Sequence, residues 1–210
     1  MINKILNSNL DDSYIPFDPP KWVNVVAILS VVITIMLAIL IYFGVLLAIL
    51  TSLTAAIAML AWLRKGYTTP LSRRILPVYI LAIIINLVQG AEQHAGHYFT
   101  LLGTSFPNIV QVNSVSSDMQ FAAVFSFATA AIYLFGATAI FYQTKIGSFL
   151  VWWIFSWSVI FPASHFLLPL ISESGPALLP GIITAPFSIF IAATGIWHIQ
   201  NQDKTQMVPA

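Results

Sequence analysis

No cysteine occurs anywhere in the 210-residue chain, which excludes disulfides, thiolate metal sites and cysteine nucleophiles at the outset. Charge is almost as scarce. Eight Lys and Arg stand against seven Asp and Glu, only 7% of the residues, and the formal net charge is +1. A soluble domain carries about 25% charged residues. With no basic field on offer, binding to nucleic acid is excluded. The Gly-x-Ser-x-Gly pattern is also missing, and with it the nucleophile elbow of a serine hydrolase. No Lys falls inside an apolar run, so no Schiff base to a retinal-like cofactor is expected. The first 22 residues lack the charged start, apolar stretch and small-residue cleavage site of a secretory signal. Pro16, Pro19 and Pro20 make that segment an irregular lead-in lying on the membrane surface.

What is abundant is apolar side chain, 59% of the total, more than a domain of this size can hide from water. The apolar run from Trp22 to Leu63 is twice the roughly 20 residues that cross a hydrocarbon core, so it reads as two helices turning at Gly44. Continuing along the chain, the reading is an all-α, polytopic transmembrane bundle with six spans at 22–43, 45–63, 75–96, 119–142, 149–171 and 182–199. A cytoplasmic N-terminal segment, 1–21, precedes this one domain, 22–199, and a cytoplasmic tail, 200–210, comes after it. Under this segmentation Lys4, Lys21, Arg64, Lys65, Arg73, Arg74, Lys145 and Lys204 all fall on one side. Cytoplasmic loops carry the excess of Lys and Arg, so the expectation is N-in and C-in in a plasma (inner) membrane. Glu92, Asp118 and Glu173 stand on the other side with the longest loop, 98–118, which is expected to cap that face. Trp22, Trp62 and Trp197 fall at span ends, where an indole ring prefers the headgroup layer.

Polar side chains are costly inside a span unless they pair or face a cavity, and their clustering is the functional pointer such a sequence offers. In the third span, at about 100° per residue, Asn86, Gln89, Gln93 and His97 share a stripe expected to face the bundle interior. Glu92 and His94 flank it. In the fifth span Ser158 and His165 share a face, and topology places His165 at the depth of Glu92, His94 and His97. Imidazole and carboxylate together suit zinc or non-haem iron. In that reading His94, His97 and His165 are ligands, and Glu92 is a further ligand or the general base for a metal-bound water. Asn86, Gln89, Gln93, Ser158 and Glu173 line the pocket. Pro162 and Pro169 in the fifth span and Pro186 in the sixth are expected to free backbone carbonyls, and Gly90 and Gly96 to admit a neighbouring helix closely. Trp152, Trp153 and Trp157 fit packing, a lipid contact or one wall of an apolar pocket equally well.

The chain also resembles the HXXEE-motif membrane protein family, whose function is uncharacterised. Gln89, Glu92 and Gln93 stand where that motif has His, Glu and Glu. His165 and the segment Leu179, Pro180, Gly181, Ile182, Ile183, Thr184 and Ala185 resemble the family's later histidine and Pro-Gly-x-x-Thr segment. The resemblance implies Glu92 and His165 as site residues and supplies no activity.

Three functions are expected from these features. The first is a metal-dependent enzyme acting on a lipid or other apolar substrate from the extracytoplasmic side. The second is a non-enzymatic subunit or assembly factor, its partners the lipid bilayer and the other members of a membrane complex. The third is a b-type haem protein with axial imidazoles from separate helices. Transport is disfavoured, since ion pathways place ionisable groups near the midplane.

Overall fold

The structure is a computed structural model that describes residues 20–43, 45–67, 71–106, 130, 132–171 and 179–206. It is all helical, with no strand among the described residues. Helix α1 spans Lys21–Phe43 and α2 spans Val45–Ala61, running on through a π-helical turn at Trp62–Gly66. A 3-10 turn at Arg73–Ile75 leads into α3, Leu76–Ala95. The short α4 spans Tyr98–Ser105 and the apolar α5 spans Ile132–Phe141. Helix α6 is the longest, Lys145–Ile171, and α7 spans Ala185–Gln206.

Four stretches are long and apolar enough to cross a membrane: Lys21–Ile41, Val45–Lys65, Arg73–Ala95 and Lys145–Ile171. Six were expected, and the two that differ do so for separate reasons. Half of the segment 119–142 lies outside the described residues, which show its end as α5. The sixth segment does form a helix, but α7 runs into Gln200, Asn201 and Gln202, so its apolar part is shorter than its length. The fifth helix starts at Lys145, four residues ahead of the expected 149, because Thr144 caps its first turn through the Gly147 amide. Part of the expected 98–118 loop is helix α4, with Tyr98 and Leu102 buried; 107–118 lies outside the described residues.

Apolar surface faces outward. Only 11% of the apolar stretch of α1 is buried, against 50% for α6. Val26, Leu29, Ile33, Leu37 and Ile41 of α1 are all exposed. Such a helix is stable only in an apolar solvent, which makes this a membrane protein. Helix α6 is the hub, packed against α2 on one side and α7 on the other, while α7 also packs on α3 and α1 on α2. Met36 and Ser52, equally distant from Gly44 in sequence, meet in the α1–α2 pair, as an antiparallel hairpin requires.

Cationic residues gather at one end of the bundle. The Lys21 and Lys145 ammonium groups lie over the Tyr67 ring at 5.1 and 4.7 Å. The Arg73 guanidinium stacks on Phe141 and donates to its carbonyl at 2.9 Å, and Lys65 donates to the Gln200 carbonyl. Trp62 departs from expectation here. It is fully buried, with Nε1 donating to the Lys145 carbonyl at 2.8 Å, so it ties α2 to α6 and does not sit in the headgroup layer. Trp22 and Trp197 are exposed.

Candidate functional site

The polar stripe of α3 faces the interior. Gln89 and Gln93 are buried at 3% and 6% exposure, one helical turn apart. Asn86 Nδ2 donates to Ser158 Oγ on α6 at 2.7 Å. Ser188 Oγ on α7 contacts Asn86 Oδ1 at 3.4 Å and the Ser158 carbonyl at 3.2 Å. This three-helix knot fixes Asn86 and Ser158, and Ser188 is a member that the sequence reading missed. At the far end of the stripe Gln93 Nε2 lies 3.0 Å from Nε2 of the fully buried His165. With Gln93 donating, the imidazole proton sits on Nδ1, which has no hydrogen-bond partner. Aromatic rings enclose the imidazole, Tyr98 at 4.8 Å and Phe161 at 5.6 Å between centroids. Burial raises the pKa of the Tyr98 phenol, so Tyr98 presents a neutral hydroxyl, which is buried without a hydrogen-bond partner among the described residues.

Glu92 has a different neighbour from the one expected. Its carboxylate accepts from the backbone amides of Ile183 and Thr184, each at 3.3 Å, and from the Thr184 hydroxyl at 2.8 Å. These groups open α7, where unpaired N–H groups and the helix dipole favour an anion. Glu92 is therefore a cap reaching across from α3, and Thr184 is its partner. The sequence carries a signal for this: Thr184 followed by Pro186 in the first turn is a helix-start pattern. Pro186, placed there, frees no carbonyl within the helix, contrary to expectation, whereas Pro162 and Pro169 do lie inside α6. Gly181, at φ 97°, seats the 179–184 segment against His165 and Gln93.

His94 and His97 do not join His165. Both are exposed while His165 is buried. Among the described residues no three His, Asp or Glu side chains are placed to share a metal ion. Glu173 lies outside the described residues. A haem held between His165 and either His94 or His97 would likewise need an exposed side chain to turn inward. His97 has a backbone role instead. At φ 53° it occupies the left-handed region and lets the chain turn from α3 into α4. We expect His97→Gly to leave thermal stability unchanged or raise it by up to about 1 kcal/mol, since glycine adopts that conformation without strain. A clear loss of stability on this substitution would show that the imidazole itself holds the turn.

Beside the amide stripe lies a cavity of about 120 Å³. One wall is Asn86, Gln89, Gly90 and Gln93 of α3; facing it are Trp153, Trp157 and Phe161 of α6, spaced by one turn each. No charged side chain lines it among the described residues. The walls are braced. Trp153 Nε1 donates to Thr54 Oγ1 at 3.1 Å, and the Trp157 and Phe161 rings stack at 4.7 Å with an interplanar angle of 11°.

Gly90 sets this space apart. A Cβ on Gly96 would strike Pro180, one on Gly147 would strike Ala139, and one on Gly195 would come 2.5 Å from Phe155, so close packing accounts for each of those. A Cβ on Gly90 would meet nothing within 4 Å among the described residues. The expected close helix approach is therefore absent at Gly90, and at Gly96 the close neighbour is Pro180 of the 179–184 turn, not a helix. No protein-family model matches the chain, and neither a curated protein nor a solved structure matches it.

Proposed function

We propose that this six-span membrane protein, N-in and C-in, holds one small uncharged membrane-borne molecule in the cavity between α3 and α6. The observation that carries this reading is Gly90. Glycine inside a helix costs about 1 kcal/mol relative to alanine. Where a neighbour presses on the backbone, that cost is offset by packing. Gly90 has no such neighbour among the described residues, and its missing side chain adds its volume to a cavity walled by fixed aromatic and amide groups. Space retained at a cost beside the unpaired amide nitrogen of Gln89 suits a ligand.

Residues that carry the resemblance to the HXXEE-motif family touch one another, Glu92 on Thr184 and Gln93 on His165 and Gly181. On this reading that network holds Gln93 in place as the rim of the cavity, and neither a metal nor a haem is needed to account for it.

Gly90→Leu tests the proposal, because leucine takes up most of a 120 Å³ cavity without meeting a described atom at its Cβ. Solvent extraction of purified wild type is expected to release one small neutral compound in near-stoichiometric amount. The Gly90→Leu variant should release little and, because bound ligand itself raises the wild-type melting temperature, it is compared with wild type stripped of ligand, below which it should not melt. A variant that melts below stripped wild type shows the space already filled by the chain itself and overturns the proposal, as does a wild-type extract with no enriched compound.

A further inference from the structure

If the cavity holds a ligand at all, as proposed, its two walls define the chemical class of that ligand. A volume of about 120 Å³ is close to the ~150 Å³ of an engineered apolar cavity that binds benzene, so it admits one six-membered ring and little more. Trp157 and Phe161 stack on one another at 4.7 Å, and with the indole of Trp153 they make this wall aromatic and apolar. A conjugated ring of that size packs against aromatic side chains in offset or edge-to-face geometry. Phosphate and ammonium heads are disfavoured by the absence of any counter-charge among the described lining residues.

The opposite wall supplies the polar specificity. Asn86 is occupied at both ends of its amide, by Ser158 and Ser188, and Gln93 Nε2 is taken by His165. Gln89 is left over. It lines the cavity, yet its Nε2 is buried without a partner. Orphaned buried donors are rarer in folded proteins than under-used carbonyl oxygens, so the partner this amide lacks is an acceptor. A half-turn of the terminal amide carries Nε2 to the cavity side at no change of shape.

We infer that the ligand is a neutral conjugated ring bearing a carbonyl oxygen, the chemistry of a quinone-type head, its ring packed against the aromatic wall of Trp153, Trp157 and Phe161 and its oxygen accepting from Gln89. An apolar tail on such a head would leave toward lipid. Nothing in this assignment requires electron transfer.

The test uses rings of one shape. 1,4-Benzoquinone and p-xylene are close in size and carry a carbonyl oxygen or a methyl at the same two ring positions, though only the xylene is aromatic; the chain has no thiol for the quinone to alkylate, and mass spectrometry checks that its lysines stay unmodified. Binding to the full-length protein in detergent is read from the rise in melting temperature with ligand concentration. Wild type is expected to bind the quinone about tenfold more tightly than p-xylene, a ratio that corresponds to roughly one hydrogen bond. Gln89→Leu should reduce the ratio to about one while both rings still bind, and Gly90→Leu should abolish both. If p-xylene binds wild type as tightly as the quinone, or hydroquinone binds more tightly, the carbonyl assignment falls and the cavity reading stands. If neither ring binds, and wild type and Gly90→Leu behave alike, both fall.

Discussion

Gly181→Ala is expected to destabilise the bundle by about 3 kcal/mol, from backbone strain and overpacking together. At φ 97° Gly181 is in a region that an L side chain rarely adopts. The added methyl would also lie 2.9 Å from His165 Cε1 and 3.1 Å from Gln93 Cγ, and both of those residues are buried and bonded to each other. Neither can retreat without breaking that bond inside an apolar surround. The two costs separate in a double-mutant cycle. His165→Ala removes the nearer obstacle and the bond that holds Gln93 in place, so Gln93 can move aside and adding Gly181→Ala on that background should cost mainly the backbone part, about 1–2 kcal/mol. Unfolding followed by tryptophan fluorescence measures each step. A Gly181→Ala variant within about 0.5 kcal/mol of wild type would show that the 179–184 segment is not seated on His165, since a surface loop tolerates such a change.

How much of this was legible beforehand depends on whether the information is local. Apolar runs longer than a soluble helix needs identified α1, α2, α3 and α6, and the two-helix reading of 22–63 rests on nothing but the thickness of a bilayer. The gathering of Lys21, Lys65, Arg73 and Lys145 at one end of the bundle comes from the same segmentation. Helical periodicity brought Asn86, Gln89 and Gln93 onto one inward face, and the structure has them there. It failed at His97, because the stripe assumes the helix continues, and α3 ends at Ala95 with His97 already in a left-handed turn. Depth alone drew His94 and His97 toward His165, although residues at one depth can point in opposite directions around a helix. The partner of Glu92 was out of reach for another reason. Thr184 is far along the chain, and only the packing of α3 on α7 makes them neighbours. Gly90 was read as a contact site because glycine in a membrane helix usually is one; its open surroundings are visible only in three dimensions.

Glu92→Ala is expected to cost about 2 kcal/mol, the net worth of one neutral and two backbone hydrogen bonds to a charged group, trimmed because the carboxylate is only partly buried. The loss has a direction as well as a size. Without the carboxylate, the amides of Ile183 and Thr184 lose their acceptor at the start of α7, and α3 and α7 lose their tie at this end of the bundle. Glu92→Gln keeps one acceptor oxygen but turns an N–H2 group toward donors and gives up the charge that the helix terminus favours, so about half the loss should remain. Thr184→Ala removes one of the three bonds, and in combination with Glu92→Ala it should add little, a non-additivity that marks the two as partners. The same pair of variants separates a capping carboxylate from a catalytic base or metal ligand. A cap shows graded stability from Glu to Gln to Ala, with quinone-type binding at the cavity weakened only as far as its rim loosens. A base or ligand would instead show full stability in Glu92→Gln alongside complete loss of activity or metal, and that outcome would remove Glu92 from its capping role.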